Sequence, residues 1–247
     1  MHKMLEGGMS RRRFGELALS GLALAGLAGC SREKKPASQA KQEKTAKEEI
    51  PAGQEKPEYF PSNLLAKPPL VPDMALGKDD APITIYEYAS ATCPHCADFH
   101  ISEWPLIKKE YVDTGKARFI FREFPLDQVA LAAFMLARCA AGNDPEKYHA
   151  LLDTIFKTQR EWAQNPREGL LKIMRMAGMD DKQFEACQSD RKLAQAIINS
   201  ARNASRDFKV ASTPTFFING RKVEGRRGIE EFRKVIDAEL KRAEAAR

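Results

Sequence analysis

The segment ITIYEYASATCPHCADF, Ile83 to Phe99, constrains the fold of this chain more than any other. Its first seven residues alternate and are rich in Ile, Tyr and Thr, which predicts a strand. Ser90 and Thr92 are helix-capping residue types, so a helix is expected to start near Cys93 and to run, with a kink, to Tyr111. Pro94 suits the first turn of that helix, where no backbone donor is required. The two cysteines thus fall in the opening turn of a helix that follows directly on a strand.

That position has chemical consequences. Residues i and i+3 of a helix share a face with Cβ atoms ~5–6 Å apart, close enough for a disulfide after modest adjustment. The opening turn also offers unpaired N–H groups and about half a positive charge. Both favour a thiolate at Cys93 over one at Cys96, which lies deeper. A stabilised thiolate favours the dithiol form, so the corresponding disulfide is an oxidant. His95, protonated or donating a hydrogen bond, would add to that stabilisation. A structural zinc site needs four ligands, in most cases from two Cys or His pairs. The chain has five cysteines and only His2, His95, His100 and His149, with no second C-x-x-C, so no metal is expected. His100, one turn beyond Cys96, is expected to be exposed.

The remaining order is strand, helical block, hairpin, helix. ARFIFREF, Ala117 to Phe124, reads as a second strand, and about 80 residues of helical periodicity follow. ALAAFMLARCAA is apolar nearly all round and should be buried. Asp144-Pro145 forms an N-cap followed by Pro at the first helical position, Gly178 ends a helix, and Asp180 with Gln183 resembles a capping box. A last helix of the block spans Arg191 to Phe208. TPTFFING, Thr213 to Gly220, ends in a hairpin-turn signal with RKVEG as the partner strand, and Ile229 to Leu240 is an amphipathic helix. Order is expected to begin near Ile83, with AKPPLVP (Ala66 to Pro72) extended on the surface. The basic group Arg221, Lys222, Arg226 and Arg227 reads as a solvated edge.

The N-terminus reads as an address. Lys3 and Arg11 to Arg13 precede the apolar run LALSGLALAGLA, Leu17 to Ala28. That run is shorter than the ~18–20 apolar residues that span a bilayer, so residues 1–29 are expected to be a signal peptide. Ser10-Arg11-Arg12-Arg13-Phe14 resembles a twin-arginine export motif. Leu27-Ala28-Gly29-Cys30 resembles a lipobox, which makes Cys30 the expected lipidation site. Residues 30–61 form a polar stretch, with seven basic and six acidic residues between Ser31 and Pro61, too polar to bury a core, and read as a disordered tether. Export implies a compartment in which disulfides persist. The net charge is +6, but acidic and basic residues are interspersed without a basic, aromatic-bearing stripe, so nucleic acid is not an expected partner.

YEYASATCPHCADF together with STPTFFING resembles the DsbA-type thiol:disulfide oxidoreductases, over about Ile83 to Leu240. The resemblance implies an α/β thioredoxin fold across residues 62–247 with an α-helical subdomain inserted at about 126–208. It implies that Cys93 is the nucleophile, Cys96 the resolving cysteine, and Pro94-His95 the dipeptide tuning the potential. Pro214 matches the family's cis-proline, with Thr213 facing the active site as part of the substrate-binding edge. Glu87 matches a buried acid beneath the site that moves protons to or from Cys96. Cys139 and Cys187, both in the helical block of an exported chain, are expected to form a structural disulfide. No cofactor is implied. The implied partners are reduced or unfolded exported proteins and a quinone-linked, DsbB-type membrane oxidase. The expected setting is a monomer in the bacterial periplasm, held at a membrane through Cys30. Thr213 before the proline also occurs in isomerases and reductases of this fold, so those activities stay open. A metal-binding or chaperone-like lipoprotein is the alternative of another class.

Overall fold

The computed structural model describes residues 57–67 and 70–246. The leader expected at 1–29, Cys30 and the tether as far as residue 56 lie outside the described residues. Five strands form one sheet: β1 (Met74–Leu76), β2 (Ile83–Ala89), β3 (Ala117–Glu123), β4 (Thr215–Ile218) and β5 (Arg221–Glu224), in the order β1-β3-β2-β4-β5. β2 and β3 are parallel and the other pairs antiparallel. A parallel pair needs a crossover, which α2 (Pro94–Ser102), α3 (Trp104–Ile107) and a π-helical turn (Lys108–Val112) supply. The kink expected before Tyr111 has its cause in Pro105, which sits in the first turn of α3 and breaks the helix at Glu103.

Between β3 and β4 lies the helical insertion: α4 (Gln128–Ala141), α5 (Pro145–Lys157), α6 (Gln159–Trp162), α7 (Pro166–Met176), α8 (Asp181–Gln188) and α9 (Arg191–Phe208). The caps follow their residue types. Asp127 accepts from Ala130 N–H, Asp144 from Lys147 N–H, and Asp180 with Gln183 forms a complete capping box. Cys139 on α4 and Cys187 on α8 are joined as a disulfide. A buried ion pair docks the insertion onto the sheet: Glu123 of β3 accepts from Arg138 of α4 and from Tyr148 of α5. Arg138 also donates to Pro72 O at 2.9 Å, so its charge is nowhere left unpaired. α10 (Ile229–Ala245) closes the fold.

Three expectations give way here. Order begins well before Ile83: Tyr59 bridges Arg221, Phe60 N–H donates to Gly220 O at 2.7 Å, and Lys222 N–H donates to Glu58 O at 2.9 Å. The Phe60 ring packs edge-on to Phe208 and Phe217. The polar stretch therefore ends before Glu58 rather than at Pro61, because an edge strand needs covering and Tyr59-Phe60 carry enough apolar area to do it. Downstream of short helix α1 (Ser62–Leu65), Val71 is buried and Met74–Leu76 add the edge strand β1, which the prolines nearby concealed. The basic group is not simply solvated either. Lys222 donates to Lys209 O, and Arg226 is paired with the buried Glu103 at 2.8 Å.

His149 of α5 pins β1 to the insertion, donating from Nε2 to Met74 O at 2.8 Å between Trp104 and Phe119. Burial pushes its pKa down to about 4, against an ordinary 6.5. Unfolding then takes up a proton wherever the unfolded imidazole is charged and the folded one is not, so stability falls as pH drops from 6.5 towards 4. For a shift of this size the loss by pH 4 is about 3 kcal/mol. His149→Gln, which keeps an amide donor for Met74, is expected to flatten the acid limb of urea-unfolding free energy by about that amount.

Candidate active site

The site forms where β2 ends and α2 begins. Cys93 is itself the N-cap of α2, in extended backbone, and Pro94 takes the first helical position. Ser90 and Thr92, expected to cap this helix, do something else. Ser90 Oγ accepts from Leu126 N–H at 3.2 Å, while Thr92 Oγ1 donates to Asp127 at 2.6 Å. They tie the cysteine loop to the start of the insertion, and with no capping side chain the first N–H groups of α2 remain available to sulfur. Gln159 of α6 completes the loop from the other side, donating to Ala91 O at 2.8 Å and to Cys93 O at 3.0 Å. Nothing in the sequence singled out Gln159, since a lone glutamine in a helical run carries no pattern.

Across the site, the Thr213–Pro214 peptide is cis. Cys93 Sγ donates to Thr213 O at 3.3 Å, which joins residues 120 positions apart. The Thr213 hydroxyl is buried and makes no hydrogen bond while Cys93 is a thiol, which leaves it to donate to the sulfur once Cys93 ionises. Pro94 and His95 are exposed, Cys93 is 6% exposed and Cys96 is fully buried. Both active-site cysteines are present as thiols.

The two sulfurs have opposite acidities. The Cys93 thiol is pulled down to about 5, chiefly by the hydrogen bond from the Cys96 thiol. Burial opposes the change, but the Thr213 hydroxyl and the backbone N–H groups of Cys96 and His95 add to it. His95 reaches Cys93 through its N–H; its exposed ring makes no hydrogen bond here. Burial pushes the Cys96 thiol well above the ordinary range, reinforced by its bond to Cys93 and by the Glu87 carboxylate. The pair is an acidic outer thiol beside a basic inner one.

Glu87 stands on the central strand, fully buried, and burial raises its pKa. His100 is also fully buried, contrary to the expectation that it lies exposed. Four residues after Cys96, it shares that cysteine's inward face of α2, where Phe99 also points. The i, i+4 spacing was the available signal. His100 Nε2 lies 3.0 Å from Glu87 Oε2, and its ring stacks on Phe156. Burial works against charge on this imidazole, but Glu87 and Asp153 outweigh it and raise the pKa to about 9. Among the described residues, no group of three or more His, Cys, Asp or Glu could hold a metal ion.

A family model described as Thioredoxin matches residues 70–238. The crystal structure of alpha-DsbA1 of Wolbachia pipientis is 33% identical, with 76% of this chain and 99% of that chain covered at a TM-score of 0.69. The chain belongs to the DsbA-type thioredoxin-fold family. A provisionally named protein-disulfide oxidoreductase of Rickettsia bellii is 36% identical over 62% of this chain and 59% of its own length. A second, of Rickettsia prowazekii, is 32% identical over 76% of this chain and 68% of its own. The chain thus spans about three fifths of the first of these relatives. Family membership accounts for the helical insertion inside the thioredoxin topology.

An acidic Cys93 links redox state to stability. Its thiolate is favoured in the folded dithiol form, a contribution present above the ordinary thiol value of 9 and lost as pH falls through about 5. At pH 7 about two units of that shift are expressed, or about 3 kcal/mol. The dithiol form is therefore expected to unfold at higher temperature than the disulfide form at pH 7, with the gap closing towards pH 5. Scanning calorimetry of the two forms across pH measures it, and Cys96→Ala should raise the thiolate midpoint of Cys93 seen in ultraviolet absorbance.

Proposed function

We propose that this protein is a thiol:disulfide oxidoreductase that donates its Cys93–Cys96 disulfide to reduced exported proteins. The observation that carries the proposal is the acid Cys93 over a buried, basic Cys96. A substrate thiolate attacks Cys93 Sγ; the new S–S bond forms as the Cys93–Cys96 bond breaks, and Cys96 leaves with the electron pair and is protonated. A second substrate thiolate attacks the substrate's own sulfur in the mixed disulfide. The substrate disulfide closes, and Cys93 leaves as a thiolate stabilised by Cys96, Thr213 and the first N–H groups of α2. The better leaving group is the one that must leave, which drives the exchange towards substrate oxidation.

In this proposal Thr213 and Pro214 present the backbone edge against which an extended substrate segment lies, and Pro94-His95 occupy the exposed rim beside Cys93. Glu87 serves the proton chemistry of Cys96. Cys139–Cys187 is structural. The dithiol left behind needs a disulfide-bearing oxidant, for which a quinone-linked DsbB-type membrane protein is the proposed partner. Cleavage before Cys30 with lipidation there would hold a monomeric enzyme at a periplasm-facing membrane close to that partner. No helix among the described residues is long and apolar enough to cross a membrane.

Mixing the oxidised protein with a reduced, unfolded disulfide-containing enzyme tests the direction. One disulfide should pass per protein molecule, Cys93→Ser should abolish transfer, and Cys96→Ala should collect mixed disulfides on Cys93. Reshuffling of existing disulfides without net loss of substrate thiols would assign the chain to the isomerases instead.

A further inference from the structure

The loop that carries Cys93 into α2 is buried, so its backbone polar groups need partners within the protein. Cys93 N–H donates to Ser90 O at 3.1 Å, which closes the turn. Cys93 O receives the first bond of α2, from Ala97 N–H at 3.2 Å. Ala91 is fully buried, and among the described residues no backbone N–H donates to its carbonyl. That carbonyl is served by Gln159 Nε2 at 2.8 Å, and the same nitrogen reaches Cys93 O at 3.0 Å. One side-chain amide of the helical insertion thus ties together two carbonyls of the cysteine loop.

Gln159 is itself firmly seated, with 8% of its surface exposed. It opens α6, whose Trp162 is buried with its indole Nε1 donating to Ile155 O at 2.7 Å. Gly169 of α7 approaches so closely that a Cβ there would lie 2.5 Å from Trp162 Cβ. The grip of such a fixed donor bears on one backbone angle, ψ of Cys93, which stands at 120°. Turning that angle would swing Cys93 O and move the first turn of α2 relative to Cys93 Sγ. The same turn carries the N–H groups of His95 and Cys96, which favour a thiolate on that sulfur. Holding Cys93 O therefore holds their aim.

We propose that Gln159 is a positioning residue that sets how strongly the Cys93–Cys96 disulfide oxidises, by fixing Ala91 O and Cys93 O and with them the first turn of α2. The proposal rests on the oxidoreductase reading above and deepens it. Gln159 acts through the loop and touches neither sulfur. Its chemistry suits the task, because an amide nitrogen offers two N–H donors without charge, one for each carbonyl. A carboxylate would turn an acceptor towards both carbonyls, and a cation would act on the thiolate directly. Without the amide, Ala91 O is left buried and unpaired, a cost that the loop escapes only by shifting. The helical insertion thereby enters the redox chemistry through one side chain.

The test compares Gln159→Met, which keeps the side-chain length and removes both bonds, with the wild-type full chain. Two quantities are read: the thiolate midpoint of Cys93 in ultraviolet absorbance, and the equilibrium of the Cys93–Cys96 pair with glutathione at pH 7. Gln159→Met should raise the midpoint by about one pH unit and shift the equilibrium about tenfold towards the disulfide, or about 30 mV. Gln159→Glu should move both further in the same direction, since it adds a negative charge near the thiolate. Ile173→Val, buried in α7 away from the loop, serves as the control: it should lower the unfolding temperature and leave both quantities unmoved. A merely structural Gln159 would behave like that control, with midpoint and equilibrium at wild-type values, and this result would overturn the proposal. Should Gln159→Met fail to fold, Gln159→Asn decides, because it keeps the amide but draws the donors back by one carbon. A shift of the same sign supports the proposal, and wild-type values for both quantities overturn it. If the wild-type pair does not exchange with glutathione at all, the oxidoreductase reading itself fails; exchange with unshifted variants removes only the role of Gln159.

Discussion

The hydrogen bonds that converge on Cys93 Sγ are the interaction on which the rest of this site depends. They exist because Cys93 is the N-cap of α2 and no side chain competes for the N–H groups of the first turn. A serine or aspartate at that position would satisfy those donors with oxygen; here they are left to favour a thiolate on the neighbouring sulfur. Cys96, one turn further in, supplies the largest share through its thiol, which it can do only because burial keeps it protonated. The asymmetry between the two cysteines is one arrangement seen from two ends.

The helical insertion contributes more than a lid of extra residues. Through Gln159 it grips Ala91 and Cys93, and through Asp127 it holds Thr92, so the loop before α2 is fastened on both sides. The insertion is itself anchored by Glu123, Arg138 and Tyr148, a buried cluster whose single carboxylate is fully engaged. His100 belongs to the same junction, since α5 provides both the ring that stacks on it and the carboxylate that faces it. The insertion therefore helps shape the acid–base surroundings of a pair that lies in the thioredoxin core.

The strand before the cysteines, Pro94 at the first helical position, the helix caps at Asp144 and Asp180 and the β4–β5 hairpin were legible because each is a local rule with a short signature. The joining of Cys139 to Cys187 was legible from composition and compartment. What escaped is non-local. Tyr59-Phe60 sit in a charged stretch and acquire their role only when β5 presents an uncovered edge. Met74–Leu76 are too short to announce a strand. His100 was misplaced because a lone histidine in a helix carries no signature of burial, and its burial depends on Glu87, thirteen positions earlier, and Asp153 on another helix. Gln159 had no signature, since its two acceptors are backbone carbonyls far along the chain.

The central claim is that stabilising the Cys93 thiolate makes the disulfide an oxidant. The most direct measurement is the equilibrium of the Cys93–Cys96 pair with reduced and oxidised glutathione at pH 7. A midpoint far above that of thioredoxin, which lies at about −270 mV, is the predicted result, with the dithiol form dominant across glutathione ratios that leave thioredoxin oxidised. A midpoint at or near the thioredoxin value would contradict it.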